Sequence, residues 1–352
     1  ISSLAMYALV AAGRDRRGLV AAFQYVIMGT VGATFYLIGV AALYSATGTL
    51  NMADLAARLA PVESARIVQM GFAFMLVGLS LKVALFPLHL WLPGTYTHAP
   101  GPVSAFLAGT ATKVALYALL RALYDIFGAP FSFDTMSAGT LLMALAVTGI
   151  FVASFVAIFQ TNVKRLLAYS SVAQVGYMVL GASYGTAAGL GAGLLHLFNH
   201  ALIKTALFLA VGAAVFRGLA PTLDGLRGLG RQMPWTAAAA VIAGLSLVGV
   251  PLTAGFTGKW MLVNAAAGAG DWLIVAAIVG SSLLTVVYVW RLLEAAWFGS
   301  PDAHAKPVRE APATVLIPLW VLALANLWFG VDTTISLGLA RDAATALLAG
   351  LQ

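Results

Sequence analysis

The sequence predicts an all-α protein, a polytopic bundle of transmembrane helices. Of its 352 residues, 61% are apolar and only 9% are charged, whereas about a quarter of the residues in soluble domains are charged. Many of its apolar stretches reach the roughly 20 residues that one membrane crossing needs. A chain of this length has room for on the order of ten crossings. This composition excludes a disordered chain, a coiled coil and almost any soluble enzyme.

Apolar stretches bounded by charged or turn residues give the predicted crossings. Nine are complete, and the first is too short to span a membrane. In chain order they are Ile1–Gly13, Leu19–Ala46, Ala65–Leu88, Pro102–Tyr124, Ala138–Gln160, Leu166–Tyr184, Ala187–Phe216, Trp235–Val263, Asp271–Phe298 and Thr314–Val331. Because the sequence opens inside an apolar run, we expect the first helix to lack its N-terminal half.

The charges in the loops support this number of crossings. Lysine and arginine residues near helix ends are retained on the cytoplasmic side of a membrane. Alternate loops carry such residues: Arg14, Arg16 and Arg17; Lys164 and Arg165; Arg217, Arg227 and Arg231; Lys306 and Arg309. The first loop is therefore predicted to be cytoplasmic. We attribute the net charge of +7 to membrane topology and expect no binding to nucleic acid.

Six basic side chains are predicted to lie inside the crossings, where no acidic residue is near the middle. They are Lys82, Lys113, His196, His200, Lys204 and Lys259. Charges at this depth are costly and indicate function by default. A desolvated lysine can take up and release a proton near neutral pH, which arginine cannot do. The set favours a proton relay, and the alternatives are lysines that reach the head groups or pair with backbone carbonyls.

Two of the crossings are predicted to be broken helices. Pro87 lies five residues after Lys82 and cannot donate a hydrogen bond to the carbonyl of Val83, which is left free beside the lysine. Pro251 frees the carbonyl of Leu247 in the same way. Interrupted helices in corresponding positions are typical of transporters built from inverted repeats with sites near the membrane midplane.

Three of the six bases share one helix face, because His196, His200 and Lys204 are spaced four residues apart. Histidine titrates nearest to neutral pH, so this face is a plausible proton wire. Two histidines hydrogen-bonded to neighbouring helices are the alternative. A histidine pair could also hold a metal, but the sequence has no cysteine and shows no third ligand, so we expect no metal. Nucleotide-binding and hydrolytic motifs are missing as well, and we expect no cofactor.

Four segments resemble a known family, the proton-conducting antiporter-like subunits. This family is shared by respiratory complex I, Mrp-type sodium/proton antiporters and membrane-bound hydrogenases. The segments are LKVALFPLHLWLPGTYTHAPGPVSAFLAGTATKVALYALLR at Leu81–Arg121, KRLLAYSSVAQVGYMVLG at Lys164–Gly181, LLHLFNHALIKTALFLAVG at Leu194–Gly212 and GLSLVGVPLTAGFTGKWML at Gly244–Leu262. A further segment, Tyr44–Ala56, resembles the D subunit of the Mrp antiporters most.

The resemblance implies a fourteen-helix fold with inverted five-helix repeats. On this sequence it implies residues 1–128 as the remainder of the first repeat, 129–300 as the second, and 301–352 as a C-terminal helix and tail. It places the broken-helix lysines at Lys82 and Lys259, with Lys113 connecting them. The family's glutamate partner of the first lysine is expected just before Ile1, so the first four helices and half of the fifth are expected to precede this sequence.

From these observations we predict a membrane subunit of a multisubunit sodium/proton antiporter in the bacterial plasma membrane. Its partners would be other membrane subunits and the lipid bilayer, with protons and sodium as substrates. One alternative is a proton-pumping membrane subunit of NADH:quinone oxidoreductase or of a membrane-bound hydrogenase. Two others are a purely structural scaffold subunit and a membrane enzyme acting on lipid, which would need a catalytic acid or metal cluster.

Overall fold

The computed structural model describes residues 2–13, 15–300 and 308–350, which are nearly all helical. Ile1, Arg14 and Lys306 lie outside the described residues. The α-helices in chain order are α1 Ser2–Ala11, α2 Arg16–Thr47, α3 Met52–Leu59, α4 Arg66–Val83, α5 Trp91–His98, α6 Gly101–Leu120, α7 Ala138–Ile158, α8 Val163–Ser183, α9 Ala187–Phe216, α10 Leu229–Gln232, α11 Pro234–Val248, α12 Ala254–Gly268, α13 Trp272–Leu293, α14 Ala313–Val331 and α15 Thr334–Ala349. The predicted all-α polytopic fold is confirmed.

Within the described residues, eight helices are long and apolar enough to cross a membrane. They are α2, α4, α6, α7, α8, α9, α13 and α14, of which α6 and α13 each continue into a π-helical segment. The pair α11 and α12 forms a ninth, interrupted crossing, and α1 is the short first segment. These elements agree with the nine complete crossings and one partial crossing predicted from the sequence. The boundary between the two repeats at residue 128 stays a prediction.

Both predicted helix breaks are present. The first separates α4 from α5 and contains Pro87, and the second separates α11 from α12 and contains Pro251. Each break also holds a non-glycine residue in the left-handed region, Ala84 with φ 62° and Leu252 with φ 70°. A right-handed helix cannot continue through such a residue. The stretch predicted as the eighth crossing therefore contains two helices. The stretch predicted as the third contains α4 and the break, and α5 begins three residues after its predicted end at Leu88.

The predicted start of the sixth crossing at Leu166 is wrong. Helix α8 begins at Val163, where the side chain of Asn162 accepts a hydrogen bond from the backbone N–H of Arg165 at 3.1 Å. Lys164 therefore belongs to the first helical turn rather than to a loop. Its side chain is buried, and its Nζ donates to the carbonyl of Ala99 at 2.5 Å.

One acidic side chain is buried at the end of a crossing. Asp125 lies one residue beyond the predicted end of the fourth crossing at Tyr124, in the π-helical segment Arg121–Ile126 that continues α6. There it forms an ion pair with Arg121, one turn earlier. Pairing offsets part of the cost of burying a carboxylate. The acid lies at the end of its crossing, so the middle of the crossing stays free of acids.

The C-terminal residues form a helix that the sequence analysis did not resolve. Helix α15 follows the tenth predicted crossing and packs against α9, and Ala344 is fully buried in that contact. With 16 residues, α15 is shorter than a membrane crossing. In the structure it covers part of α9.

Helix α9 lies at the centre of the bundle, in contact with α6, α8, α11, α12, α14 and α15. Its closest approach to α8 is made by glycines. A Cβ atom on Gly181 of α8 would lie only 2.7 Å from the backbone nitrogen of Gly193 on α9. Small residues allow helices in membranes to pack at such short distances. The α8–α9 contact thus holds the two helices that carry most of the site described below.

Replacing Gly193 with alanine is expected to destabilise the fold. The added Cβ would lie 2.8 Å from the carbonyl oxygen of Met178 and would push α8 away from α9. Overpacking of this kind costs about 1–3 kcal/mol. The midpoint of thermal unfolding in detergent should fall accordingly. Gly280→Ala is the matched control, because a Cβ at that helical glycine meets no atom within 4 Å; equal midpoints for both variants would contradict the prediction.

Candidate functional site

Five of the six predicted bases come together around α9. His196, His200 and Lys204 lie on one face of this helix and are buried. Lys113 reaches this face from α6 and Lys259 from α12, and both are buried. Lys113 and Lys204 are close enough to His200 to interact with it electrostatically, as Lys113 and Lys259 are to His196. We call these five side chains the central row.

Lys259 binds the end of the helix that precedes its own. Its Nζ donates to the carbonyl of Val248 at 2.9 Å and to that of Leu247 at 3.3 Å, the carbonyl that Pro251 was predicted to free. The C-terminal end of a helix carries a partial negative charge that stabilises a cation. The ammonium group also lies 5.2 Å from the ring centre of Tyr177, within range of a cation–π interaction.

The other two lysines of the central row also bind backbone carbonyls. Lys204 Nζ donates to the carbonyl of Leu167 at 2.9 Å and to Oγ of Ser170, and Lys113 Nζ donates to the carbonyl of Ala108. The ion pairs in the described part of the chain involve none of these lysines. Carbonyl dipoles compensate a buried ammonium only in part. In the described part of the chain these lysines are therefore held by backbone carbonyls and a hydroxyl rather than by carboxylates.

Lys82 differs from the central row. It is only partly buried, in the last turn of α4, and its Nζ donates to Oγ of Ser3 on α1 at 2.7 Å. Lys82 thus binds Ser3 and not the carbonyl of Val83, which Pro87 was predicted to leave free. The chain turns immediately afterwards, because Ala84 is left-handed and the N–H of Leu85 bonds back to the carbonyl of Ser80.

A cavity of about 190 Å³ adjoins Lys82 between α1, α2, α4 and α6. The aromatic residues Tyr7, Tyr25 and Trp91 form one wall, and Ala111 of α6 lies on another. A cavity of this size has room for several water molecules. Lys82 is therefore brought to the helix that carries Lys113, but the described structure shows no direct hydrogen bond between these two lysines.

Helix α8 supplies a polar face that the sequence analysis missed. Ser170, Gln174 and Tyr177 lie at i, i+4 and i+7 and are all buried. Each faces one base of the central row. Ser170 accepts from Lys204, Oε1 of Gln174 lies 2.8 Å from Nε2 of His196, and the ring of Tyr177 lies under Lys259. The available signal was helical spacing of polar residues within an otherwise apolar segment.

Several polar atoms of this region have no hydrogen-bond partner within the described part of the chain. They include both ring nitrogens of His200, Nδ1 of His196 and Nε2 of Gln174. Most buried polar atoms in proteins are hydrogen-bonded. Such unpaired groups can hydrogen-bond to a water molecule, and an unprotonated histidine ring nitrogen among them can accept a proton. The arrangement is chemically suited to moving protons between neighbouring groups.

Side chains from α14, α11 and α9 hydrogen-bond around the second helix break. Oγ of Ser246 donates to Oδ1 of Asn326 at 2.9 Å and accepts from the backbone N–H of Gly255 at 3.0 Å. On the other side, Nδ2 of Asn199 donates to the carbonyl of Ala254 at 2.6 Å. Backbone groups that the break leaves free are thus bonded to side chains, which fixes the position of Lys259 relative to α11.

Replacing Asn326 with leucine is expected to destabilise this break. The substitution leaves the buried Ser246 hydroxyl without its acceptor, which costs about 1–3 kcal/mol. The midpoint of thermal unfolding in detergent should fall. Asn264→Leu serves as the control, because Asn264 on α12 is exposed. If both variants unfold at the wild-type midpoint temperature, the network does not stabilise the break.

Comparisons with known proteins connect this geometry to a family. Residues 1–285 match the model of the family described as NADH:quinone oxidoreductase/Mrp antiporter, transmembrane. The N subunit of the NADH-quinone oxidoreductase of Desulforudis audaxviator is 44% identical over 348 residues, which cover 94% of this chain and 68% of the relative. The D subunit of the Na+/H+ antiporter of Alkalihalophilus pseudofirmus is 31% identical over 327 residues, which cover 93% of this chain and 66% of the relative. The chain thus spans about two thirds of the length of these relatives.

Solved structures show the same fold. A chain of the membrane-bound sulfane sulfur reductase, an archaeal respiratory membrane complex, superposes with a TM-score of 0.88 at 35% identity, covering 99% of this chain and 70% of the other. A chain of the Mrp complex from Dietzia superposes with a TM-score of 0.89 at 28% identity, covering 98% of this chain and 72% of the other. A chain of respiratory complex I from Thermus thermophilus superposes with a TM-score of 0.79 at 31% identity, covering 96% of this chain and 72% of the other.

Proposed function

The chain belongs to the NADH:quinone oxidoreductase/Mrp antiporter transmembrane family, and we propose that it is a proton-translocating membrane subunit of a redox-driven respiratory complex. The observation that carries this proposal is the central row, in which five buried bases from three helices face one another and a polar face of α8. Its partners are the other membrane subunits of the complex. Its location is the bacterial plasma membrane.

In this proposal a proton passes between Lys82 and Lys259 through the central row and the water of the adjoining cavity. Two like charges 4 Å apart repel by about 4 kcal/mol at an effective dielectric constant near 20. A proton that arrives at Lys113 therefore promotes proton release from its neighbours. The carbonyl partners of Lys113, Lys204 and Lys259 hold each ammonium only until such a charge appears.

The choice of a redox-driven complex rests on identity. The oxidoreductase relative is 44% identical to this chain, and the antiporter relative is 31% identical. The comparisons therefore favour the alternative of a proton-pumping oxidoreductase subunit over the sodium/proton antiporter predicted first from the sequence. Antiport with sodium as a second substrate is the second candidate, supported by the fold of the Mrp complex from Dietzia.

Purification of the natural complex under mild detergent tests the proposal. We expect iron–sulfur or flavin subunits to copurify, and we expect inverted membrane vesicles to acidify on addition of an electron donor without added sodium. Acidification that requires sodium, together with a complex free of redox subunits, would favour the antiporter. A vesicle preparation with uncoupler gives the baseline.

Replacing His200 with leucine is expected to slow donor-driven proton translocation about 100-fold, because a positioned proton-transfer group is removed from the middle of the central row. This is the lower end of such a group's contribution, since water can still partly fill the space. The matched control is His89→Leu, since His89 is also buried but packs against Phe86 and Tyr169 outside the central row. Equal rates of proton translocation in both variants would show that His200 does not take part in proton transfer. Vesicle acidification per assembled complex is the measurement.

A further inference from the structure

A basic cavity of about 590 Å³ opens between the start of α2, helix α5 and the start of α8. Three arginines, Arg16, Arg17 and Arg165, line it together with His98. The three arginines lie in the first turns of α2 and α8, at the helix ends that the charge pattern assigns to the cytoplasmic side of the membrane. The cavity therefore lies at the level of the head groups of the cytoplasmic leaflet, away from the central row.

The arginines of this cavity are not neutralised by the acids of the described structure. Its described ion pairs lie elsewhere, and no acidic side chain lines the cavity. The neighbouring Asp15 caps α2, where its Oδ1 accepts from the backbone N–H of Gly18 at 2.8 Å; it is close enough to His98 and Lys164 to interact with them electrostatically but forms no ion pair with the three arginines in the described structure. Arg165 packs its guanidinium 5.9 Å from the ring centre of Tyr169, another lining residue, which orients it toward the cavity.

The rim of the cavity is apolar on the side that continues into the bilayer. Val20 and Leu90 line the cavity and are 51% and 72% exposed, and Phe23, one turn after Val20, is 66% exposed. Side chains three residues apart on a helix lie on the same face. The guanidinium groups thus stand above an apolar surface long enough to contact acyl chains. A ligand that fits both parts carries an anionic head group and hydrocarbon tails.

We propose that this cavity binds the head group of an anionic phospholipid of the cytoplasmic leaflet. Arginine forks bind phosphate oxygens in a bidentate manner, and basic pockets between transmembrane helices on this side are suited to such head groups. The exposed apolar rim selects a lipid over free phosphate. Bound lipid would tie α2, α5 and α8 together on the side where the first helix break opens.

Native mass spectrometry of the natural complex in nanodiscs tests this proposal. Nanodiscs of phosphatidylcholine with about 20% cardiolipin, an anionic phospholipid, are compared with phosphatidylcholine alone. The variant Arg16→Gln/Arg17→Gln/Arg165→Gln should bind cardiolipin about 100-fold more weakly, since each arginine near an anionic surface contributes roughly a factor of five. The charge-retaining variant with lysine at the same three positions should keep most of the binding.

A matched control removes three cytoplasmic arginines elsewhere, by Arg227→Gln/Arg231→Gln/Arg309→Gln, and should leave lipid binding unchanged. If the triple variant does not assemble, Arg165→Gln alone, at an exposed position, replaces it, with an expected loss of about fivefold. Equal lipid occupancy in variant and control would overturn the proposal. So would inorganic phosphate that binds the wild type and displaces cardiolipin at equal phosphate concentration, because the apolar rim would then contribute nothing.

Discussion

Replacing Lys259 with methionine is expected to abolish donor-driven proton translocation while the complex still assembles. Methionine has a similar length and apolar volume, so the packing of α12 against α9 and α13 is retained. It carries no proton, and it leaves the C-terminal carbonyls of Leu247 and Val248 without their donor. The loss of a positioned proton-transfer group alone slows a reaction about 100-fold or more.

Lys259→Arg separates the two roles of this lysine. Arginine keeps a positive charge at the end of α11 but does not release its proton. We expect this variant to assemble with wild-type stability and to translocate protons no faster than the methionine variant. Vesicle acidification and subunit content measured on the same preparation decide the matter. Arg231→Met, which removes an exposed cation, is the control; wild-type rates in Lys259→Arg would show that only the charge matters.

The six bases, five of which are buried, could be predicted from sequence because each is a single basic residue inside a long apolar run. Burying such a charge is costly enough that it signals function regardless of neighbours. Lys164 carries the same charge and was missed, because a lysine at the end of an apolar run is typical of a loop. Only the cap by Asn162 and the contact with the carbonyl of Ala99, 65 residues away in the chain, show that it is buried.

The polar face of α8 was missed for a different reason. Ser170, Gln174 and Tyr177 are neutral, and neutral polar residues occur in membrane helices without functional consequence. What marks these three residues is that each faces a basic side chain on α9 or α12. These contacts depend on the short distance between α8 and α9 that the glycines allow. Spacing predicts a shared face, but it does not predict which helix that face meets.

The prolines in the sequence predicted where the two helices break, but they did not predict which groups bind the backbone carbonyls that the breaks leave free. Both prolines were predicted to leave a carbonyl free for want of an N–H. Among the described residues a lysine binds the carbonyl of Leu247, whereas Lys82 donates to Ser3 and not to Val83. The difference lies in tertiary structure. Lys259 follows its break and reaches back to the end of α11, whereas Lys82 precedes its break and turns away toward α1. The two lysines are therefore not equivalent ends of the proposed proton path.

This asymmetry makes Lys82→Ala the second large expected effect. Lys82 donates to one hydroxyl, that of Ser3, and borders the cavity of about 190 Å³. Lys259 is held by two carbonyls and an aromatic ring. A weakly held ammonium beside space for water exchanges its proton more readily. We therefore expect Lys82→Ala to abolish donor-driven vesicle acidification, since no other base among the described residues borders this cavity to take its place.

The alanine variant should leave assembly intact, because Lys82 is only partly buried and makes no ion pair within the described residues. Arg66→Ala is the control, as it removes an exposed cation from the other end of the same helix α4. Subunit content and electron transfer are measured alongside acidification. If protons still move at the wild-type rate, Lys82 is not on the path. If electron transfer stops as well, proton movement at Lys82 is tightly coupled to the redox step, as a redox-driven complex requires and an independent antiporter does not.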